Sequence, residues 1–454
     1  MLAGRGRLAI FATSVAAAVA LVPAVLMPAV LMPATAVAAT AAPAVPADSY
    51  RDSQAWVLDM LHLPAAWQVT EGKGVLVAVL DSGVNPDVSD LFGSVIGGPD
   101  LTGLRTPTSN KDWGDHGTWM ASIIAGHGHG FDNDDGIIGV APEAKILSIR
   151  VIPDKSDPGY RKYDSEPEQQ IQDSLAAGIR DAVRRGAQVI SMSIGYSSPS
   201  AVVRAAIEYA YLHGVVLVAS SGNSGQDDES RDHGYAPVSF PADYPGVLSV
   251  AALNRAGHAA AFSSNNLSVQ VAAPGVKVPA QGRDGQYWTV DGTSPACALV
   301  AGVAALIKAR YPRLSPELVD EALTTTARNP GHAGYNVRTG FGTVNAAAAL
   351  TAARRLAKPH AAGSQVAPAA KFGGGPSAVP AAPVSPRGVG MLVLFAVLAL
   401  ISFAVALAAG GWLVVLRRQG TQTHGGHAAY AGPYAAGYTA HGTDYSAQDD
   451  AWRQ

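Results

Sequence analysis

Between about residue 70 and residue 350, short unbroken apolar runs alternate with amphipathic segments, and this alternation constrains the fold more than any other feature of the chain. The runs are Val75–Leu80 (VLVAVL), Lys145–Ile152 (KILSIRVI), Val189–Ile194 (VISMSI), Val215–Ala219 (VVLVA) and Val247–Leu253 (VLSVAAL). Short runs that do not alternate apolar with polar suit strands covered on both faces. The segments between them read as helices. Ile171, Leu175, Ile179 and Val183 recur every fourth residue, with charges elsewhere. Ala201–His213 is closed by Gly214, and Ser315-Pro316 opens a further helix with a cap and a first-turn proline. The pattern predicts an α/β domain with a mostly parallel sheet flanked by helices. In such sheets the functional groups gather at the carboxyl ends of the strands.

Three residues stand where that rule directs attention. Asp81 ends the first run, in VAVLDSGV. Alone, an Asp at a strand end is most often a turn cap. His116 follows in DHGTWMASIIAG, at the start of an apolar helix, where the dipole is expected to disfavour its protonation and so suit a general base. Ser294 lies in DGTSPACALVAGVAALI, where a Gly-Thr-Ser turn opens a long helix of small apolar residues. Its hydroxyl would be exposed and its own N–H free. A serine nucleophile needs a base to take its proton and a carboxylate to orient the base. The chain order Asp, His, Ser is that of subtilisin. A fourth piece fits: Val215–Asn223 (VVLVASSGN) puts the Asn223 amide beyond a buried strand, placed to donate to an oxyanion.

With those residues the chain resembles the subtilisin-like serine proteases over roughly residues 50–350. The resemblance is carried by LDSGV around Asp81, DHGT at Asp115–Thr118, GVAPEAKI at Gly139–Ile146 and SMSIG at Ser191–Gly195. It continues through SSGN at Ser220–Asn223, FPADYPGVLSVAA at Phe240–Ala252, AAPG at Ala272–Gly275, GTSPA at Gly292–Ala296 and GFGTVNA at Gly340–Ala346. It implies a peptidase triad of Asp81, His116 and Ser294, with Asn223 as the oxyanion donor. It also implies that Ser193, Ile194, Gly195, Ala219, Ser220 and Ser221 line the pocket for the residue before the scissile bond, and that the strand at Lys145–Ile152 leads into the region that pairs with an extended peptide. Pro295 stands where many members of the family have Met; at a first helical turn proline is tolerated, and the N–H of Ser294 is retained. Within the family the chain is most similar to the mycosins, the membrane-anchored proteases of actinobacterial type VII secretion systems. The opening QAWVLDMLHLPAAW also looks like theirs. The mycosin resemblance implies a membrane-tethered protease acting on protein or peptide substrates beside a type VII membrane complex, with no cofactor. The alternative is a structural subunit of that complex in which proteolysis is secondary or absent.

The ends of the chain agree with a tethered protein. Charged residues make up 15% of the sequence, against about 25% in a typical soluble domain. Two uncharged stretches account for much of the deficit. Residues 1–40 read as a secretory signal: Arg5 and Arg7 start it, no charge appears from Leu8 to Ala47, and Ala34-Thr35-Ala36 and Ala36-Val37-Ala38 fit a cleavage site. Pro23, Pro28 and Pro33 argue against an uncleaved regular helix. Residues 389–416 are again uncharged and long enough to span a bilayer, and Arg417 and Arg418 place the following tail in the cytoplasm. The peptidase domain is therefore expected over 48–355, outside the membrane, with an Ala/Pro/Gly linker over 356–388 and a low-complexity tail over 417–454.

Other features are excluded or read as structural. With 32 basic and 35 acidic residues the chain lacks the basic excess of a nucleic-acid binder. The single cysteine, Cys297, rules out an internal disulfide, unlike the usual mycosin, and is expected to be a buried, inert thiol. About ten residues separate the expected cleavage site from the peptidase domain, too few for a conventional inhibitory prodomain, an absence that the mycosin resemblance also implies. His127, His129 and Asp132–Asp135 read as a solvated surface loop, without the spacing of a calcium loop and with no metal expected.

Overall fold

The structure is a computed structural model that describes residues 47–329, 334–358, 397–405, 407, 408 and 412. The chain divides into two compact units, residues 1–377 and 378–454. In chain order the strands of the first unit are β1 (Leu76–Asp81), β2 (Val95–Asp100), β3 (His127–His129), β4 (Asp135–Ile138), β5 (Lys145–Arg150), β6 (Val189–Met192), β7 (Val216–Ser220), β8 (Val247–Leu253), β9 (Val271–Pro274), β10 (Val278–Gln281) and β11 (Tyr287–Val290). The helices are α1 (Ala47–Met60), α2 (Leu63–Trp67), α3 (Asp115–Ala125), α4 (Tyr160–Asp164), α5 (Glu168–Arg184), α6 (Ala201–Leu212), α7 (Asp228–His233), α8 (Thr293–Arg310), α9 (Pro316–Thr326) and α10 (Ala346–Leu356).

Seven strands form one sheet in the order β2-β5-β1-β6-β7-β8-β9, with every adjacent pair parallel. Strand β1 shows why its sequence is apolar throughout. Successive side chains point to opposite faces. Val77 and Val79 enter the core shared with α3, α8, α9 and α10, while Ala78 and Leu80 enter the core shared with α5 and α6. Helix α5 buries Leu175 and Ile179 of the expected stripe, and Val183 packs at its margin. Hairpins β3–β4 and β10–β11 lie outside the main sheet.

Helix α8 runs through the centre of the domain. It is long and apolar enough to cross a membrane, yet 83% of it is buried within the protein, which makes it a core helix. An all-round apolar helix has to be covered on every side. Small residues allow the approach: a Cβ on Gly302 would sit 2.5 Å from the Cβ of Val140.

Residues ahead of the sheet are built into the same domain. Arg51 of α1 donates to the carbonyls of Gly136 (3.0 Å), Asn133 (2.9 Å) and Asp135 (3.2 Å). Gln54 pairs with both backbone groups of Ile138. The region expected as a solvated loop is thus an ordered hairpin, β3–β4, clamped by α1.

The second unit is described only in part. Residues 397–405, 407, 408 and 412 are helical, and Leu400, Phe403 and Trp412 are exposed. The rest of the span expected at 389–416 lies outside the described residues, as do the signal at 1–40, the linker beyond residue 358 and the tail at 417–454.

Candidate active site

Asp81 is the last residue of β1, and its side chain is 1% exposed. Its Oδ1 accepts from the N–H of Ser82 at 2.7 Å and from Nδ1 of His116 at 2.8 Å. A carboxylate only accepts, so the His116 proton resides on Nδ1 and Nε2 carries the lone pair. His116 is the second residue of α3, and its side chain is 28% exposed. The turn after β1 is locked onto the start of this helix. Ser82 Oγ accepts from Gly117 N at 3.0 Å. A Cβ on Gly117 would collide with the Gly83 carbonyl oxygen, so the chain after His116 needs glycine.

The electrostatics of His116 differ from the expectation set by the helix dipole. Three N–H groups at the start of α3 are covered by one carboxylate from another element. Asp154 Oδ2 accepts from Gly114 N and Asp115 N at 2.9 Å each, and Oδ1 accepts from His116 N at 3.1 Å. Burial pushes the imidazole pKa down, but the charge and hydrogen bond of Asp81, joined by the charge of Asp154, outweigh it and hold His116 above its ordinary value. The anionic cap offsets the dipole whose positive end would have lowered it. Neighbouring Asp115 is pushed up to about 6, first by burial and then by the charge of Asp154.

Ser294 occupies the second position of α8, after Gly292 at φ 147°, ψ 172°. Thr293 and Pro295 are buried, whereas Ser294 is half-buried. Its N–H belongs to the first turn, which has no partner within the helix. Its carbonyl accepts from Ser193 Oγ at 3.2 Å. Asn223 lies three residues beyond β7, and its Oδ1 accepts from both N and Oγ1 of Thr293 at 3.0 Å. That leaves Nδ2 to donate. A Cβ placed on Gly292 would lie 3.6 Å from Asn223 Nδ2 and 3.6 Å from Ser294 N, so the two donors flank one small volume beside the serine. The structure shows an imidazole oriented by a buried carboxylate, a half-buried serine in the first turn of a helix, and the Asn223 amide beside the N–H of that serine.

Of the six residues expected along the specificity pocket, Gly195 is exposed. Ser193, Ile194, Ala219, Ser220 and Ser221 are buried at 9% exposure or less, because they end the interior strands β6 and β7 or follow them. They can shape the floor of a cleft but offer little surface of their own. Cys297 is wholly buried, with Ser191 Oγ at 3.7 Å from its sulfur, and burial pushes its thiol up to about 11. It stays protonated at neutral pH and is a poor nucleophile. His127 bonds the carbonyls of Gly128 and Phe92, and His129 bonds the buried Asp90 at 2.6 Å. Both histidines are engaged within the protein.

Sequence reasoning passed over Asp154 and Arg150. Both lie at or just beyond the carboxyl end of β5, on the edge that the strand-end rule marks, but neither belongs to a recognisable motif.

Comparison with known proteins points to one family. The model of the subtilase family matches residues 72–342. The chain is similar to Mycosin-3 of Mycobacterium tuberculosis, with 34% identity over 402 residues, 79% of this chain and 83% of that protein. It is similar to Subtilisin DY of Bacillus licheniformis, with 34% identity over 279 residues, 62% of this chain and 92% of the other. Among solved structures it resembles MycP1 from Mycobacterium smegmatis (TM-score 0.53, 32% identity, 65% of this chain and 84% of that one). It also resembles the MycP3 protease of the type VII (ESX-3) secretion system (TM-score 0.54, 30% identity, 65% and 87%). A further MycP1 structure is described with its N-terminal propeptide removed, so the likeness to mycosins does not carry the expected absence of a propeptide.

Proposed function

The chain belongs to the subtilase family and is a subtilisin-like serine endopeptidase, and we propose that Asp81, His116 and Ser294 are its triad and Asn223 its oxyanion donor. The observation that carries this reading is the 2.8 Å bond from His116 Nδ1 to buried Asp81, which leaves Nε2 as the free base. In the proposed reaction Nε2 takes the Ser294 hydroxyl proton as Oγ attacks the peptide carbonyl. Asn223 Nδ2 and Ser294 N–H hold the developing oxyanion. The imidazolium, stabilised by Asp81, then gives its proton to the departing amine. Water, deprotonated by the same nitrogen, releases the acid product and returns Ser294.

The same reading places the enzyme on a membrane. The uncharged run at 389–416 would cross the bilayer once, with Arg417 and Arg418 on the cytoplasmic side and the peptidase domain outside. The likeness to mycosins, among them MycP1 from the ESX-1 type VII secretion system, supports work beside such a complex. A structural role in that complex would survive loss of the nucleophile, which makes Ser294→Ala the informative variant. Hydrolysis of casein by the full chain in detergent micelles should fall about 10⁶-fold in this variant, the loss known from subtilisin itself. Undiminished hydrolysis would remove the assignment. Intact assembly with membrane partners in the inactive variant would favour the structural role.

A further inference from the structure

The segment after β5 carries a carboxylate that no motif marks and that the three-residue mechanism does not use. Strands β5 and β1 run side by side, with Arg150 paired to Asp81. Beyond the strand end, Val151 N and Ile152 N both donate to the Asp81 carbonyl, at 2.9 and 3.4 Å. The chain then turns, with Asp157 N donating to the Asp154 carbonyl at 3.0 Å. Asp157 is itself anchored. Its carboxylate takes Arg150 Nη2 at 2.6 Å, Thr106 Oγ1 at 2.8 Å and Gly159 N at 2.7 Å. Arg150 is 1% exposed and also holds Asp100 at 2.6 Å and the Ser82 carbonyl at 3.1 Å. Asp154 is thus held on one side by the strand that carries Asp81 and on the other by a buried ion-pair cluster.

Its target is equally well defined. The residue preceding α3 is Gly114, at φ 83°, ψ 25°, and glycine has no side chain with which to cap the helix. Asp154 fills that role from 40 residues away and takes three consecutive N–H groups, the last of which is that of His116 itself. Successive N–H groups that follow a left-handed residue form an anion-binding cup.

We propose that Asp154 is a positioning residue of the catalytic site: it fixes the backbone N–H of His116 while Asp81 holds the ring, so that two carboxylates bracket the residue. This rests on the reading of Asp81, His116 and Ser294 as the triad. Two consequences follow. Asp154 holds the His116 N–H and the two N–H groups before it, which fixes the helix start that carries the imidazole; small displacements of a catalytic group cost rate steeply. The imidazolium that forms when the serine proton is taken is stabilised by two carboxylates, not one. The neighbouring acid on α3, Asp115, in turn feels Asp154, Asp112 in the loop before it, and Asp284 and Arg283 in the β10–β11 turn. Arg283 is the only cation of this set and works against the acids.

The test is the pH dependence of inactivation by a fluorophosphonate, followed on the full chain in detergent micelles from about pH 5 to about pH 9, where a base must be neutral to activate serine. In Asp154→Asn the charge is lost, so the acid limb should move to lower pH and the plateau rate should fall about tenfold or more. Asp154→Ser, which keeps a capping oxygen without charge, should move the limb the same way and guards against misfolding of the first variant. Asp154→Glu, which keeps the charge, should hold the limb near the wild-type position. An unmoved limb in both neutral variants, or equal losses in Asn and Glu variants that track their thermal midpoints, would overturn the proposal and leave a merely structural cap. Labelling that persists in Ser294→Ala would overturn the triad reading and this proposal with it; loss of labelling there, together with an unmoved limb in the Asp154 variants, overturns the proposal alone.

Discussion

Replacing Asn223 by alanine removes a structural acceptor, Oδ1, and with it the proposed oxyanion donor, Nδ2. Nδ2 faces the volume beside Ser294 N, each donor being 3.6 Å from the point a Gly292 Cβ would occupy. Loss of that donor should cost about 2.7–4 kcal/mol of transition-state stabilisation, or 10²–10³ in kcat, as removal of the equivalent donor does in subtilisin. KM should change little, because the donor acts on charge that exists only in the transition state. Oδ1 has a structural role, since it accepts from Thr293 N and Oγ1 at 3.0 Å each, and Thr293 is 1% exposed. The hydroxyl can rotate to another acceptor but the backbone N–H cannot, so the lost partner should cost about 1–3 kcal/mol of stability. At roughly 2–4 °C per kcal/mol for a domain of this size, the thermal midpoint should fall by about 2–12 °C. Asn223→Asp separates the two roles. It keeps Oδ1, so its midpoint should stay near the wild type at neutral pH. It turns the donor into a negative acceptor facing the oxyanion, so its kcat should fall at least as far as that of the alanine variant. The assay is steady-state hydrolysis of an internally quenched peptide by the full chain, with calorimetry on the same preparations. A kcat for Asn223→Ala within about threefold of wild type, or a loss carried wholly by KM, would exclude Asn223 as the oxyanion donor.

Three further outcomes are expected. Because Asp81 and Asp154 hold the His116 pKa above 6.5 despite its burial, and the base must be neutral, kcat/KM should rise with pH through a midpoint above 6.5, measured as a pH–rate profile; a midpoint below that value would contradict the bracket of two carboxylates. Arg150→Met should destabilise the fold by about 3–5 kcal/mol in thermal unfolding, since Asp157 would be left buried without its cation. Burial pushes Asp320 of α9 from 3.8 up to about 8, with Glu317 adding to the shift, so the folded state holds this proton more tightly than the unfolded chain and stability falls as pH rises across that interval. Asp320→Asn has no proton to lose there, and its thermal midpoint should match wild type at the acid end of the window and exceed it at the alkaline end.

How much was legible beforehand depends on where the controlling contacts lie. Strands β1, β5, β6, β7 and β8 are interior and parallel, covered on both faces, so each appears as an apolar run whose observed ends fall within two residues of the sequence reading. Strand β2, VIGGPD, escaped because it is an edge strand with glycines, a proline and mixed burial. The β3–β4 hairpin read as a loop because its order comes from Arg51 and Gln54, more than 80 residues away. Asp81, His116, Asn223 and Ser294 were conspicuous because each sits in a local turn whose glycine or strand end is written into the adjacent sequence. The charge environment of His116 was not. The helix start alone argues for a depressed pKa, and the cap that reverses the argument arrives from Asp154 on another strand's exit. Cys297 followed the burial expected of a small apolar helix, and its thiol is accordingly held protonated.

The central claim is that Ser294 is the nucleophile activated by an Asp81-bound His116. Peptide mapping of the fluorophosphonate adduct on the full chain tests it most directly. One adduct is expected, on Ser294, that forms faster as pH rises and is nearly abolished by His116→Ala. An adduct on another serine, or rapid modification of Ser294 that is indifferent to loss of His116, would contradict it.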